Sequence, residues 1–251
     1  MKTMLLVTAA LMIATGIAAV AARAADDSDK KPVPCTPAQK DPQRHEQFLK
    51  DKQAALKKGP VKLVFIGDSI TDAWRNNGSE QNKLFNDRWG AYNPLNLGIS
   101  GDKTEHVLWR LEHGELDDLA ESAKLVVIMI GTNNLGNPPR ATPEDTASGV
   151  ECVVTSVRNK LPEAKILLLG VFPRGMKADD PFRAQIKTIN DTISQLADDK
   201  KVRYLDIGNK FLADDGTLTK EVMPDALHPS AKGYQIWADA IDPVVKEMIG
   251  S

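Results

Sequence analysis

Short, uninterrupted apolar segments recur along the chain, and most of them end at a glycine or just before a proline. Segments of this length and composition are typical of strands buried within a parallel sheet. Residues that permit a tight turn follow them, so each segment is expected to end abruptly. The predicted strands are Val61–Ile66, Pro94–Leu97, Leu125–Ile130, Ile166–Val171 and Val202–Ile207.

Between these segments, apolar residues recur at the spacing of amphipathic helices. Two helices have clear start signals, since Asp41 and Thr142 are capping residues that each precede a proline. Pro243 lies inside the last helical pattern and is expected to kink or split that helix. The helical patterns cover residues 42–58, the segment after Thr104, the segment from Thr142, residues 186–196 and residues 237–248.

Strands and helices therefore alternate, and no signal for an antiparallel hairpin separates the strands. This order predicts an α/β fold, a three-layer α/β/α sandwich around a five-stranded parallel sheet. The domain is expected to span residues 60–251. In such sheets, ligands bind beyond the carboxyl ends of the strands, so the residues that follow each strand are the place to look for chemistry.

The first 24 residues have a different character. Lys2 precedes an uncharged run from Met4 to Ala21, and Ala22-Arg23-Ala24 then gives the small-x-small pattern that signal peptidase accepts. The interpretation is a secretory signal peptide over residues 1–24, followed by a polar lead-in and a helix over residues 25–59. The alternative is an uncleaved membrane anchor, because the run is close to spanning length.

Composition narrows the possible functions. Charged residues make up 26% of the chain and hydrophobic residues 42%, which argues against disorder. A formal charge of −2 does not suit a nucleic-acid binder. With 2 cysteines and 4 histidines, the chain has no cluster with zinc-site spacing, so no metal is expected.

The two cysteines have two open interpretations. Cys35 lies in the proline-rich lead-in, and Cys152 lies off the apolar stripe of the helix that begins near Thr142. In an exported protein a Cys35–Cys152 disulfide would connect the lead-in to the domain. The alternative is a pair of free thiols, and neither cysteine has a histidine nearby in sequence that would activate it as a nucleophile.

Polar residues with chemical potential follow several strands. Gly67-Asp68-Ser69 comes after the first strand, Gly98-Ile99-Ser100-Gly101-Asp102 after the second, and Gly131-Thr132-Asn133 after the third. Near the end of the chain, Pro229 keeps His228 in a loop ahead of the last helix. Asp225 lies three residues earlier and can reach the second ring nitrogen of His228.

In order and spacing, these segments resemble the four sequence blocks of the SGNH (GDSL-type) hydrolases. The resemblance covers residues 60–250 and is strongest to the branch of the platelet-activating-factor acetylhydrolase catalytic subunits and their bacterial relatives. Ile70 stands where the family's nickname has leucine. The segments that carry the resemblance are Gly67–Asp72, Asn96–Thr104, Val107–Leu111, Ile128–Asn134 and Pro224–His228.

The resemblance implies a flavodoxin-like fold and a serine-hydrolase mechanism without metal or organic cofactor. Ser69 would be the nucleophile, His228 the general base and Asp225 the residue that orients it. The backbone N–H groups of Ser69 and Gly98, with the side-chain amide of Asn133, would form the oxyanion hole.

Four further side chains lie near these blocks. Asp68 and Asp102 are interpreted as structural carboxylates that brace their own loops. Arg174 borders the predicted site and is a possible substrate contact or a solvated arginine. Trp74 is a second possible substrate contact, with burial in the core as its alternative.

The predicted function is that of an exported serine esterase that cleaves short acyl esters, acetyl above all, from a small-molecule or carbohydrate substrate. A lipid-directed esterase (lysophospholipase, thioesterase or acetylhydrolase) is the alternative enzyme, and a glycan-binding protein without catalysis is a third reading. A dinucleotide-binding protein is disfavoured because no G-x-G-x-x-G follows the first strand. No nucleic-acid partner is expected, and no stable membrane insertion after signal cleavage.

Overall fold

The computed structural model describes residues 33–138, 140–198 and 200–250. The predicted signal peptide over residues 1–24 and the alternative membrane anchor lie outside the described residues. No helix in the described part of the chain combines the length and the apolar character needed to cross a membrane.

In the described part of the chain, five parallel strands form one sheet in the order β2-β1-β3-β4-β5, which confirms the predicted fold class. The strands are short and, apart from residues 203–205 at one edge of the sheet, their side chains are almost all buried, as expected for strands with helices on both faces. Their bounds are β1 Leu63–Gly67, β2 Leu95–Gly98, β3 Leu125–Met129, β4 Lys165–Leu169 and β5 Val202–Leu205.

Within the described residues, eight α-helices connect or flank the strands. Five of them match the helical patterns of the sequence, and the other three lie after β1, after β3 and before β2. The bounds are α1 Pro42–Lys58, α2 Ser69–Asp72, α3 Glu80–Trp89, α4 Thr104–Glu112, α5 Thr132–Gly136, α6 Pro143–Lys160, α7 Pro181–Ile193 and α8 Ala231–Gly250.

The two predicted helix starts are stabilised by local hydrogen bonds from the backbone to the capping side chains. The side chain of Asp41 accepts the Arg44 N–H at 2.9 Å, and the side chain of Thr142 accepts the Asp145 N–H at 3.0 Å. Each cap satisfies one of the N–H groups that the first turn of a helix leaves without a backbone partner.

Alternate residues of each strand pack into separate cores on the two faces of the sheet. Val64 and Ile66 of β1 pack with α1, α4, α6 and α7, through residues such as Phe48 and Val150. Leu63 and Phe65 pack with α3 and α8 on the opposite face. The two-residue period of a strand therefore gives the three layers directly.

Residues 33–41, which we call the N-terminal strap, cross the first of these layers. Cys35 of the strap forms a disulfide with Cys152 of α6, with the two Cα atoms 5.8 Å apart. The Ala38 N–H donates to the Glu105 carbonyl at 3.0 Å, and the Thr104 hydroxyl donates to the Pro34 carbonyl at 2.8 Å. The strap is therefore bound to α4 and α6 by covalent and polar contacts.

Helix α8 departs from the sequence expectation. It is one continuous helix of 20 residues that includes Pro243 and is not split there. Trp237, Ile241 and Val245 on its apolar face are fully buried. The packing of this face holds the helix together where the proline removes a backbone hydrogen bond.

The strand order places a natural crevice above β1. The chain leaves β1 toward β2 on one side and later returns to β3 on the other side. At such a switch point the loops that follow neighbouring strands diverge and leave room for a ligand. The loops after β1, β2 and β3 therefore surround one site.

Candidate active site

Ser69 is presented by a sharp turn from β1 into α2. A side chain at Gly67 would place its Cβ 2.5 Å from the Met129 carbonyl oxygen, so only glycine fits. Asp68 caps α2, because its Oδ1 accepts the Ile70 N–H at 3.0 Å. Ser69 is the first helical residue and is half-buried, with its hydroxyl directed toward His228.

The structure brings Ser69, His228 and Asp225 into one chain of hydrogen bonds. Ser69 Oγ lies 2.9 Å from His228 Nε2, and His228 Nδ1 lies 2.6 Å from Asp225 Oδ2. A carboxylate only accepts hydrogen bonds, so Nδ1 carries the ring proton and Nε2 is free to accept from the serine hydroxyl. This is the arrangement in which a histidine can act as a general base.

Asp225 is held in its ionised form by the loop around it. Its Oδ1 accepts the backbone N–H groups of Leu227 at 3.1 Å and of His228 at 2.7 Å. Partial burial opposes ionisation, but the hydrogen bonds from the His228 ring and from these N–H groups outweigh it and hold the pKa of Asp225 below its ordinary value. Ala226, at φ +61°, shapes the turn between them.

The structure corrects the role expected for Gly98. Its N–H donates to Asn96 Oδ1 at 2.9 Å and so is not free for a substrate oxygen. A Cβ at this position would lie 2.4 Å from the Asp72 backbone nitrogen. Gly98 is therefore a packing residue that lets the backbone of α2 approach β2.

The next glycine in that loop, Gly101, has the features that Gly98 lacks. Ile99 to Asp102 form a turn closed by the Asp102 N–H and the Ile99 carbonyl at 3.1 Å. Gly101 is the third residue of this turn at φ +74°, the position that requires glycine in a type II turn. Within the described residues its N–H has no hydrogen-bond acceptor. The sequence feature that could have identified Gly101 is its place as a second glycine, three residues beyond the end of the strand.

Asn133 of α5 contacts this turn. Its Nδ2 donates to the Asp102 carbonyl at 3.0 Å, and its Oδ1 accepts from Asn137 Nδ2 at 2.9 Å. These two contacts fix which end of the amide is nitrogen, and they leave one N–H of Nδ2 for a further acceptor. Asn134 strengthens the same junction, since its Oδ1 accepts the Thr104 N–H at 3.1 Å.

Trp74 does not contact this site, which corrects one expected substrate contact. Its side chain is completely buried, and its ring packs 4.5 Å from Tyr234 and 5.1 Å from Trp237, measured between centroids. The indole belongs to the core between α3 and α8, so the open alternative of a core residue is the correct one.

Arg174 lies beside the loop of Asp225 and His228. Its Nη1 donates to the Thr132 carbonyl at 3.1 Å, and its guanidinium lies 4.3 Å from the ring centre of Phe182. Burial, with the nearby charge of Arg140, lowers the pKa of Arg174. The neighbouring Gly175 N–H donates to the Ala226 carbonyl at 3.0 Å, so this segment braces the loop. A substrate contact through Arg174 stays a prediction.

The remaining histidines make structural contacts. His45 Nε2 lies 3.0 Å from the His113 carbonyl, and His106 Nδ1 accepts the Lys103 N–H at 3.0 Å. Burial lowers the pKa of both His45 and His106. Across the ranges that the structure describes, no three His, Cys, Asp or Glu side chains are grouped so that they could hold a metal ion.

Comparison with known proteins gives this site a family. The sequence model of the GDSL-like lipase/acylhydrolase family matches residues 65–236, and the chain belongs to that family. It is 35% identical over 191 residues to the platelet-activating factor acetylhydrolase IB subunit alpha1 of Bos taurus, covering 76% of this chain and 75% of that protein. The alpha2 subunit of Rattus norvegicus is 34% identical over 192 residues, covering 76% of this chain and 77% of that protein.

Solved structures agree on the fold. A GDSL-like lipase from Bacteroides thetaiotaomicron superposes with a TM-score of 0.61 at 21% identity, covering 81% of this chain and 97% of that one. A variant of an acetyl xylan esterase from Geobacillus stearothermophilus gives 0.55 at 24% identity, covering 75% of this chain and 94% of that one. The family match makes the protein a hydrolase that acts on esters, as its sequence indicated.

Proposed function

We propose that the protein is an exported serine esterase that removes acetyl and other short acyl groups from carbohydrate. The observation that carries the catalytic part of the proposal is the chain of hydrogen bonds from Ser69 through His228 to Asp225, at 2.9 and 2.6 Å. Such a chain activates a serine hydroxyl that is a weak nucleophile by itself.

In the proposed mechanism, Ser69 Oγ attacks the ester carbonyl while His228 Nε2 takes its proton. The tetrahedral intermediate collapses to an acyl-serine as His228 returns the proton to the leaving alcohol. Water, activated by the same histidine, then releases the acid and regenerates Ser69. Asp225 keeps the ring oriented and stabilises the imidazolium that forms in both halves of the reaction.

The oxyanion of both tetrahedral intermediates would be bound by the N–H groups of Ser69 and Gly101 and by the side-chain amide of Asn133. The free N–H of Gly101 and the second N–H of Asn133 support this assignment. Removing one donor of this kind costs about 2.7–4 kcal/mol of transition-state stabilisation. The fall in kcat/KM in Asn133→Ala measures the contribution of the Asn133 amide.

The openness of the site supports a hydrophilic leaving alcohol. The side chains of His228 and Asp225 are 43% and 55% exposed, so the leaving group faces solvent. A large polar alcohol such as a glycan fits this position without desolvation of buried groups. One relative of the same fold is described as an acetyl xylan esterase, and the curated relatives as acetylhydrolases.

Lipid is the second candidate substrate. The relatives with 34–35% identity are subunits of a platelet-activating factor acetylhydrolase, and the name specifies an acetyl ester on a lipid. The acyl group would be the same in both cases. The two candidates therefore differ only in the alcohol that leaves.

Two observations support export. Residues 1–24 have the sequence pattern of a signal peptide. The disulfide between Cys35 and Cys152 is a feature of proteins that fold in an oxidising compartment. Amino-terminal sequencing of the protein secreted by an expression host tests this proposal, since cleavage after Ala24 would expose Ala25 at the new terminus.

The catalytic proposal is tested by Ser69→Ala. Hydrolysis of p-nitrophenyl acetate should fall to the background level, while the melting temperature stays close to that of the unchanged protein. A fluorophosphonate probe should label Ser69 and leave the variant unlabelled. Ser194→Ala, at the far end of α7, is the matched control and should keep full activity. Retained hydrolysis in Ser69→Ala, or labelling at another residue, would exclude the mechanism.

The substrate is tested by two comparisons on the unchanged protein. We expect kcat/KM to fall by at least tenfold from p-nitrophenyl acetate to the octanoate. Acetylated xylo-oligosaccharide should then release acetate faster than an acetylated ether phospholipid in mixed micelles. The reverse order would select the lipid candidate, and a preference for octanoate would contradict the short-acyl proposal.

A further inference from the structure

Lys40 lies outside the residues that match the family, yet its side chain reaches the proposed active site. It belongs to the N-terminal strap, just before α1, and the family match begins at residue 65. Its Nζ donates to the Ser100 carbonyl and lies 3.3 Å from Asp102 Oδ1. Both acceptors belong to the turn from Ile99 to Asp102 that contains Gly101.

The bond to Ser100 holds the central peptide group of that turn. This peptide joins the Ser100 carbonyl to the Gly101 N–H, and in a trans peptide these two groups point in opposite directions. Type I and type II turns differ in the direction of this central peptide. Lys40, by binding the carbonyl on one side, therefore holds the Gly101 N–H on the other side.

The other ends of the turn are fixed independently of Lys40. The Ser100 N–H donates to Asp72 Oδ2 at 3.2 Å, and the Asp102 carbonyl accepts from Asn133. Asp102 is buried and also accepts from Arg110 Nε at 3.0 Å. These contacts leave the central peptide of the turn free to rotate, and Lys40 opposes that rotation.

Lys40 itself is held in place by the strap. The disulfide at Cys35, the Ala38 N–H and the Pro34 carbonyl fix the strap to α4 and α6. The Lys40 side chain is 33% exposed, so its ammonium keeps part of its hydration while it bridges the two acceptors. A lysine at this point needs no full desolvation to make both contacts.

We propose that Lys40 is a positioning residue that orients the Gly101 N–H as an oxyanion donor. The proposal rests on the proposed function, because it assigns Gly101 to the oxyanion hole of the Ser69 mechanism. Lys40 does not contact the substrate, and it acts only through the Ser100–Gly101 peptide. The strap is then part of the catalytic apparatus of this chain, although it precedes the family's own sequence blocks.

The test is a set of three variants assayed with p-nitrophenyl acetate. In Lys40→Met, which keeps the aliphatic stem, kcat should fall about ten- to a hundredfold while KM changes less than twofold, because a misplaced donor weakens the transition state and not substrate binding. Lys40→Arg, which retains a donor, should recover most of the lost kcat. Lys57→Met, on the exposed end of α1, is the matched control and should keep the original kcat.

Two further measurements separate positioning from stability. The apparent pKa of the acid limb of the kcat/KM profile should be the same in Lys40→Met, because His228 and Asp225 are untouched. Added propylammonium should restore part of kcat in Lys40→Ala by occupying the same position. The proposal is overturned if Lys40→Met keeps kcat within twofold of the original. It is also overturned if the fall in kcat is accompanied by a large fall in the melting temperature.

These outcomes are distinct from a failure of the proposed function. If Ser69→Ala remains active, the serine mechanism fails whatever Lys40 does. If Ser69→Ala is inactive and Lys40→Met is fully active, the mechanism stands and only the positioning role is lost.

Discussion

Asp68 and Ser69 are neighbours in the chain, but their side chains have opposite surroundings. Asp68 is fully buried, and only its Oδ1 has a partner among the described residues, the Ile70 N–H. Burial raises the pKa of Asp68 to about 7, although that hydrogen bond opposes the shift. Its capping role agrees with the structural interpretation from sequence, and its burial has a consequence for stability.

The sign of that consequence follows from proton binding. Between its ordinary value of 3.8 and about 7, the folded protein holds a proton on Asp68 that the unfolded chain releases. The free energy of unfolding should therefore fall as the pH rises through this window and become level above it. A shift of this size corresponds to about 4 kcal/mol as an upper bound.

Asp68→Asn should remove this pH dependence and keep the cap, since asparagine also accepts the Ile70 N–H. Relative to the unchanged protein, the variant should gain about 2–4 kcal/mol between pH 4 and pH 8. Urea unfolding at several pH values measures the difference. Asp214→Asn on the surface is the control. If the free energy of unfolding depends on pH in the same way in Asp68→Asn and in the unchanged protein, the prediction is wrong.

At the scale of elements, α8 shows how packing overrides a local signal. Pro243 cannot donate to the Asp239 carbonyl, and in an exposed helix this would favour a break. Trp237 packs against Trp74 and Phe172, and the buried Asp242 accepts from the Trp89 indole at 3.2 Å. Val245, beyond the proline, is fully buried in the same core, so packing holds the helix on both sides of Pro243.

Pro243→Ala should therefore stabilise the protein. Restoring the backbone hydrogen bond is worth up to about 3 kcal/mol, reduced by about 1 kcal/mol because the unfolded chain gains freedom. We expect a net gain of about 1–2 kcal/mol in the free energy of unfolding, measured with urea. Pro42→Ala is the matched control, because a proline at the first position of α1 costs no hydrogen bond. A loss of stability in Pro243→Ala would show that α8 is adapted to its proline.

At the scale of the whole molecule, the disulfide connects residues that are 117 positions apart. It joins the strap to α6 at a place where Gly149 permits close approach, since a Cβ there would lie 2.7 Å from Pro34. A cross-link over so long a segment restricts the unfolded chain strongly. The strap therefore contributes to global stability as well as to the turn beside Ser69.

Replacing both cysteines, Cys35→Ser with Cys152→Ser, should lower the free energy of unfolding by about 2–5 kcal/mol. Urea unfolding measures this loss, and reduction of the unchanged protein with dithiothreitol should produce a similar one. Because Lys40 depends on the strap, kcat should fall in the double variant in the same direction as in Lys40→Met. A double variant with unchanged stability would show that the polar contacts of the strap are sufficient.

Much of the molecule was predictable from local sequence patterns. The strands and most helices follow from short apolar runs, 3.6-residue spacing and capping residues, because these signals act within a few positions of the chain. Four residues of the candidate site were also expected from the sequence, Ser69 and Asn133 beyond strand ends and Asp225 and His228 in the loop before α8, whereas Gly101 was not. The structure brings Ser69 and His228 together over 159 positions.

Tertiary packing decided what local patterns leave open. Gly98 and Gly101 look equivalent in sequence, and only the contacts of Asn96 and α2 show that the first is a packing residue. Trp74 is an aromatic residue near the nucleophile in sequence, yet its neighbours come from α3 and α8.

By itself, then, the sequence determined the order and type of the elements and the chemical groups at the strand ends. Tertiary structure alone decided which backbone N–H is left free beside those groups, and that Lys40, 60 positions before Ser100, holds it in place. The physical reason is that periodicity and capping depend on neighbours in the chain. The direction of one peptide group depends on whichever side chain the fold brings against it.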